Sequence, residues 1–481
     1  MSGWRYLLQR ATTGEWLHTD LPLTRTSGPR WELSAAGSLA GTVAPDLGGM
    51  LAADGKVLLD EWSTLIHVEA DGVIRWSGIV ISSKFSGSQW KVEAAGYATY
   101  PFGIPFGDEW GLAKIDPAQI VRDLWAHVQS YPDSNLGVVV AGSTTLRIGT
   151  DSTAKLKAAT TAWEAAKAAY DAANKVLKAR QATETAARKV YSTLVADRTA
   201  KNAALTAAKK TGNPAAIAAA QSAYNQAKAA ASAQKTVVDQ RAATKKAQAE
   251  VVAPLKATLD VRAEAKRAAK EAEDADGGGY KLEWWNTPDV GDEIDSLARE
   301  TPFDFTEFHA WDGDDIAHTI TVHYPRAGRR RDDLAFVLGE NVTAITDPVR
   351  DGDKFANEVT GLGAGEGAGS LRRTTAVRDG RLRRPYVLAA KDVSKATRLD
   401  ALIRDERIRR QQPLTVPSIT VRDHPHAQIG SWQLGDDILV QATLPWLGDL
   451  SIWHRVVGWE LVTEHTARLS LERSDSFTYG A

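Results

Sequence analysis

Cysteine is absent from all 481 residues, which excludes disulfide staples, thiolate-bound zinc, iron–sulfur clusters and cysteine nucleophiles. Stability therefore comes from packed cores or from assembly, and the redox compartment stays open. Long apolar runs are missing too: no stretch reaches the roughly 18 apolar residues of a membrane span. The N-terminal MSGWRYLLQR has no basic region followed by an apolar core, so a cleaved leader is not expected. The expectation is a protein made soluble, without stable membrane insertion. An excess of one charge is lacking, with 58 Lys+Arg against 60 Asp+Glu, so no global field selects nucleic acid or an anionic membrane as partner. Methionine is scarce at two residues, whereas tryptophan is abundant at sixteen, nearly all outside one alanine-rich block. At about 150 residues per domain the length excludes one compact core and suggests about three domains.

The alanine-rich block runs from Asp151 to Asp276. About a third of it is alanine, glycine is nearly absent, and Lys, Gln, Thr and Glu fill most of the remainder, the composition of long helix. Leu156, Trp163, Tyr170 and Leu177 recur every seven residues, with Ala159, Ala166 and Ala173 three positions behind the first three. A second series runs through Ile217, Tyr224, Ala231 and Val238, is interrupted by the polar Lys245, and resumes at Val252 and Leu259. Strict seven-residue periodicity predicts left-handed supercoiling. Gly212-Asn213-Pro214 stops one helix and starts the next, which predicts an antiparallel hairpin with arms about 90 Å long at 1.5 Å rise per residue. Pro254 is expected to kink the second arm. Alanine at many seam positions buries little area, so further partners or oligomerisation are expected to add stability. The block carries about nine more basic than acidic side chains, read as a solvated lysine-rich surface because no aromatic ladder interleaves them.

Both ends of the chain read as strands. Trp4 to Gln9, Trp31 to Leu33, Thr64 to Glu69, Val73 to Ser82 and Trp90 to Ala95 are separated by turns at Asp54-Gly55, Asp71-Gly72 and Ser86-Gly87. From Leu414 onward LTVPSITVRD, DDILVQATL, SIWHRVVGWELV and ARLSLER are strand-like. Helices are predicted over Pro117 to Gln129, capped by Asp116, over Glu293 to Arg299, and over Ser394 to Arg410. Leu136 to Ile148 and Tyr280 to Trp285 flank the helical block and are expected to pair as neighbouring strands. The fold class is therefore α+β and multidomain: β-barrel-like N- and C-terminal domains around mixed α/β domains, with a long antiparallel coiled-coil hairpin inserted. The expected boundaries are residues 1–107 for the N-terminal β-domain, 108–150 plus 277–340 for a mixed α/β domain, 151–276 for the hairpin, 341–412 for an α/β connecting domain, and 413–481 for the C-terminal β-domain.

Candidate chemistry is sparse. Glu358 to Ser370 (EVTGLGAGEGAGS) follows a strand, but Glu366 stands where a dinucleotide loop needs its third glycine, so a surface loop is the better reading. Asp423-His424-Pro425-His426 brings two imidazoles and a carboxylate within four residues, yet a catalytic zinc needs a third ligand and a base. No His-Glu-x-x-His, nucleophile elbow or phosphate-binding lysine loop occurs. Asp314-Asp315, Asp332-Asp333 and Asp436-Asp437 are adjacent pairs, which diverge in strands and support no glycosidase geometry. No catalytic, cofactor-binding or metal residue and no cofactor is assigned, and the chain is read as a non-enzyme. The arginine clusters at Arg326 to Arg331, Leu371 to Arg384 and Arg404 to Arg410, with the many tryptophans, suit interface contacts to acidic surfaces on neighbouring copies.

Two stretches carry a family resemblance. GPRWELSAAGSLAGTV preceding EWSTLIHVEADGVIRWSGIVISS (Gly28 to Ser82), and FANEVTGLGAGEG leading to WQLGDDILV and a final hairpin, resemble the tail-tip hub or minor tail proteins of long-tailed bacteriophages of actinobacteria, relatives of contractile-tail baseplate hubs. The resemblance covers most of the chain outside the hairpin. It implies a homotrimeric ring around the tail channel, located at the virion tail tip. It further implies contacts to the distal tail protein at the tube end, the tape measure and other minor tail proteins, and a part in host attachment and DNA delivery. Some relatives carry a peptidoglycan-degrading domain downstream, which this sequence lacks before Ala481. The alternatives are a tail-associated wall hydrolase and an adhesin that binds host cell-wall carbohydrate.

Overall fold

The computed structural model describes residues 4–474 apart from 302, 351, 354, 365–368, 391, 392, 394, 412, 413 and 446. It divides into two compact units, residues 1–151 with 274–481, and residues 152–273.

The larger unit is built on one sheet of 13 strands. Its N-terminal half runs from Thr24–Glu32 through Ser38–Val43, Gln89–Ala95, Val73–Ser86, Thr64–Ala70 and Arg5–Arg10 to the edge strand Trp16–His18. Its C-terminal half runs from Gly448–Thr463 through Thr466–Arg473 and Ser418–Arg422 to the edge strand Val342–Ile345, with Asp437–Leu444 and Phe336–Val337 as a side branch. The halves join where Gly448–Thr463 pairs antiparallel with Thr24–Glu32, in the register Gly458 to Glu32, Trp459 to Trp31 and Glu460 to Arg30. The α+β class with an inserted helical hairpin therefore holds, but neither β-rich end closes into a barrel among the described residues. Each half still buries its own core: Leu8, Trp76 and Val80 in the N-terminal half, Phe336, Trp432 and Val456 in the C-terminal half.

A third core lies under the helix Pro117–Gln129, whose Ile120, Leu124, Trp125 and Val128 pack with Phe305 and Ile320. Asp116 caps this helix by accepting from the Ala118 N–H at 2.9 Å, and the same carboxylate accepts from the Thr144 hydroxyl at 2.8 Å, tying the helix start to the following loop. The next helix starts three residues earlier than its apolar pattern indicates, at Val290, because Asp289 accepts from the Asp292 N–H at 3.0 Å and provides the cap. A small fourth core joins the helix Ala396–Gln411 to the sheet of Arg372–Ala376, Glu358–Leu362 and Pro385–Ala389. Gly361 explains this junction: a Cβ there would sit 2.6 Å from Ile403 Cγ2 and 2.7 Å from Leu399 Cδ1, so only glycine lets the helix lie on the strand.

The strands flanking the hairpin do not pair with each other as expected. Tyr280–Glu283 pairs with Glu109–Leu112, and Val138–Ala141 adds in parallel to Asp315–His323. Gly142 at φ +93 breaks the first flanking run, so only its beginning is strand, while the four-residue partner EWGL is too short to signal itself. The chain nevertheless returns to the place it left, since the Thr150 N–H donates to the Gly278 carbonyl at 2.8 Å.

The smaller unit is the hairpin, with arms Ser152–Thr211 and Pro214–Asp276. Asn213 caps the second arm by accepting from the N–H groups of Ala215 and Ala216, and Gly212 takes φ +66 to turn the chain. Helix is continuous through Pro254. The seven-residue series holds in buried Ala231, Val238 and Val252, and extends beyond the residues that announce it to buried Ala187 and Leu205 in one arm and Ala227 in the other. Between them lies a set of polar cross-links. Gln234 donates to the Ala187 carbonyl and Gln248 to the Ala173 carbonyl, both at 3.0 Å, and Arg180 donates to the Thr244 carbonyl at 2.7 Å. Lys245, which interrupts the apolar series, meets the buried Glu184 of the opposite arm at 2.6 Å, and Arg188 holds the same carboxylate at 2.7 Å. These two cations keep the Glu184 carboxyl below its ordinary pKa. Alanine makes this possible, since its single methyl lets a glutamine reach the facing backbone.

Candidate functional site

The arginine clusters are engaged within the chain. Arg326 is buried and donates to Asp437 at 2.8 Å, and Arg331 reaches Asp436 at 3.0 Å and Asp333 at 2.8 Å. Arg455 pairs with Asp304, whose carboxylate also accepts from the Ala327 N–H at 2.6 Å. Arg330 lies 3.9 Å from the Trp453 ring centroid. Arg373 grips Asp400 with two 2.8 Å bonds, and Arg383 pairs with Glu358 at 2.5 Å. Arg410 binds Glu406 at 2.6 Å and sits 3.4 Å from the Tyr386 ring centroid. The acidic partners assigned by sequence to neighbouring copies are thus, for these arginines, found in the same chain. The adjacent carboxylates are absorbed in the same way: Asp436 and Asp437 anchor arginines, and Asp315 accepts from Gln9 at 2.8 Å. Burial raises the Asp437 pKa against the pull of Arg326, and Arg331 holds Asp333 down at about 2.

Four polar rings meet inside the larger unit. His309 and His318 face each other across adjacent strands, Nδ1 to Nδ1 at 2.9 Å, and His318 Nε2 lies 3.0 Å from the Tyr97 hydroxyl. His67 stacks over His318 with centroids 5.9 Å apart and contacts the Ser77 hydroxyl at 2.9 Å. Burial drives the His318 pKa down to about 3 and that of His67 well below the ordinary imidazole value. Both rings are neutral at physiological pH.

Beside the joint between the two sheet halves a cleft of about 670 Å³ opens, bordered by Trp4, Trp31, Arg75, Glu307 and Trp459. Trp31 and Trp459 stack across the joint at 3.9 Å with an interplanar angle of 14°, and the Trp31 indole N–H donates to the Arg75 carbonyl at 3.1 Å. Two residues 428 positions apart thereby supply both a sheet contact and a cleft wall.

The Asp423-His424-Pro425-His426 segment gains the partner it lacks in sequence. Glu340, in the turn before Val342–Ile345, places Oε1 2.9 Å from His426 Nδ1 and 3.9 Å from His424 Nε2. The three ligand atoms all lie within 4.8 Å of one another. Asp423 stands apart from this trio: its carboxylate accepts from the Ile429 N–H at 2.9 Å and closes the loop that presents both imidazoles. Nothing local marks Glu340, which follows Gly339 in an ordinary turn 84 residues before His424. In the glycine-rich segment, Gly361 and Gly363 are packing positions, the latter with a Cβ site 2.5 Å from the Val393 carbonyl oxygen, and residues 365–368 lie outside the described residues.

No protein-family model matches this chain, and no curated protein does. Solved structures match it only distantly. It matches the 43 kDa tail protein of prophage MuSo2 from Shewanella oneidensis over 98% of each chain, at 10% identity and a TM-score of 0.47. It also matches the E. coli c3393 protein, a type VI secretion component with structural similarity to the T4 bacteriophage tail proteins gp27 and gp5. That match covers 98% of this chain and 79% of the other, at 8% identity and a TM-score of 0.37. None of the described helices is long and apolar enough to cross a membrane.

Proposed function

We propose that this chain is a structural hub of a bacteriophage tail tip, without catalytic activity. Three copies close a ring that joins the tail tube to the tip proteins, and the helical hairpin serves as a spacer or docking rod. The distal tail protein, the tape measure and other minor tail proteins are its partners, in host attachment and DNA delivery. The observation that carries this reading is the set of large apolar side chains left exposed on the sheet-bearing unit. Trp62, Trp284, Trp285, Phe308 and Leu382 are among them. Exposed aromatic residues on this scale suit surfaces that assembly covers. The open edge strands Trp16–His18 and Val342–Ile345 add backbone donors and acceptors that a neighbouring copy can pair.

Light scattering on the purified protein tests this: a mass near three times 52.0 kDa is expected. A monomer that persists at high concentration overturns the ring. A second reading, a carbohydrate-binding adhesin, is favoured by the tryptophan-walled cleft. It predicts saturable binding to isolated host wall that Trp459→Ala abolishes. Zymography on the same wall separates both from a hydrolase, for which lytic activity lost on His424→Ala and His426→Ala would be decisive.

A further inference from the structure

We propose that Glu340, His424 and His426 form a binding site for one divalent first-row transition ion of the zinc class. Two imidazoles and one carboxylate are the donor set such ions prefer, whereas calcium and magnesium demand more oxygen ligands than one carboxylate supplies. Zinc bonds to imidazole nitrogen and carboxylate oxygen are both close to 2 Å, so tetrahedral ligation places ligand atoms about 3.4 Å apart. The observed separations from Glu340 Oε1, 2.9 Å to His426 and 3.9 Å to His424, bracket that value. One carboxylate oxygen already faces both imidazole nitrogens. A cation among the three replaces the proton that now lies between His426 and Glu340.

The supporting structure is built and partly buried. Asn341, beside Glu340, is almost fully buried: its amide donates to the Ala335 carbonyl at 2.6 Å, its side-chain oxygen accepts from the Val337 N–H at 2.9 Å, and its own carbonyl accepts from the Arg422 N–H. These bonds lock the turn that carries Glu340 to the strand that leads into the histidines. The histidine loop is closed by Asp423 on Ile429 and by the Ala427 N–H on the His424 carbonyl at 2.9 Å. The ligand-bearing loops are therefore positioned before any ion arrives, which is what a site needs from its surroundings.

Loading switches the tautomer of both rings. His424 Nδ1 accepts from the His426 N–H at 3.2 Å, so the neutral ring carries its proton on Nε2, the atom that faces Glu340. Metal binding at Nε2 moves that proton to Nδ1 and gives up this long contact. His426 moves its proton from Nδ1 to the exposed Nε2. Both rings stay neutral, and the remaining coordination positions take water.

The test uses the full chain freed of metal by chelator and dialysis, titrated with zinc chloride by calorimetry. One ion per chain is expected, and Glu340→Gln, His424→Ala and His426→Ala are each expected to weaken binding by at least about 100-fold. His18→Ala, on a separate strand, leaves it unchanged. Cobalt(II) added in place of zinc is expected to give intense visible d–d bands that disappear in the same three variants. Absence of saturable binding in the wild-type chain overturns the proposal. So does wild-type affinity in Glu340→Gln, the near-isosteric change that keeps the loop folded should an alanine variant unfold.

Discussion

The two units of this protein settle their polar groups in opposite ways. The hairpin has a thin apolar seam, mostly alanine with occasional Leu, Tyr and Val, and fixes its alignment with side chains that reach across to backbone carbonyls. The sheet-bearing unit has several apolar cores, three of them large among the described residues, and sets salt bridges between them, such as Arg326 with Asp437 and Arg455 with Asp304. A seam of small side chains tolerates sliding by whole heptads, so polar contacts are needed for register. Large cores already specify position, so ion pairs serve to bind one core to the next. Polar groups therefore act on alignment in one unit and on docking in the other.

The comparison breaks most visibly at Arg326. Replacing it with alanine leaves Asp437 buried without its charge partner and is expected to cost about 3–5 kcal/mol, seen as a lower denaturation midpoint in the β-sheet signal with the hairpin's helical signal unchanged. If both signals fall together, the two units are energetically coupled and the contrast is wrong.

Acid sharpens it next. His67 and His318 have native pKa values depressed by burial, to about 3 for His318. Between the ordinary imidazole value near 6.5 and that native value the unfolded chain binds protons that the folded chain does not. Stability is therefore fully present above about pH 6.5 and falls as pH drops, by about 1.4 kcal/mol per pH unit for each such histidine. Equilibrium denaturation between pH 7 and 4.5 checks this, and His318→Gln is expected to flatten the slope. The hairpin has no histidine and is expected to keep its helix across the same range.

In the hairpin, Gln248→Ala removes one cross-arm hydrogen bond and is expected to cost about 0.5–1.5 kcal/mol, read from the helical transition alone. Changing Gln234 and Gln248 together to leucine is expected to hold or raise helix stability while loosening register. Spin labels placed on opposite arms would then report a broadened distance distribution, and a distribution as narrow as wild type would refute the register role. The smallest effect is expected from excision. Because Thr150 and Gly278 are hydrogen-bonded neighbours, replacing residues 152–273 with a short Gly/Ser linker changes only loop-closure entropy. The denaturation midpoint of the sheet-bearing unit is expected to move by less than about 1 kcal/mol equivalent. An insoluble or non-cooperative product would show that the helices belong to the core of the body.

What could be read from the chain alone was whatever a short window encodes. The seven-residue period, the alanine content and Gly212-Asn213-Pro214 determine the hairpin, because helical hydrogen bonds and capping join residues a few positions apart. The capped helix from Pro117 and most strands announce themselves the same way. Lys245 was visible as a break in the pattern, but its reason, Glu184 on the other arm, required the register of two long helices. Tertiary structure alone decided that the two β-rich ends form one sheet, since the contact between Trp31 and Trp459 spans 428 residues and leaves no local period. It also made Gly361 a packing surface, drew Arg326 and Arg331 inward onto Asp437 and Asp436, and set Glu340 against two histidines 84 and 86 residues away. Each of these rests on distances through space between segments far apart in the chain. Such distances are fixed by how cores pack and strands align, and no spacing along the sequence records them.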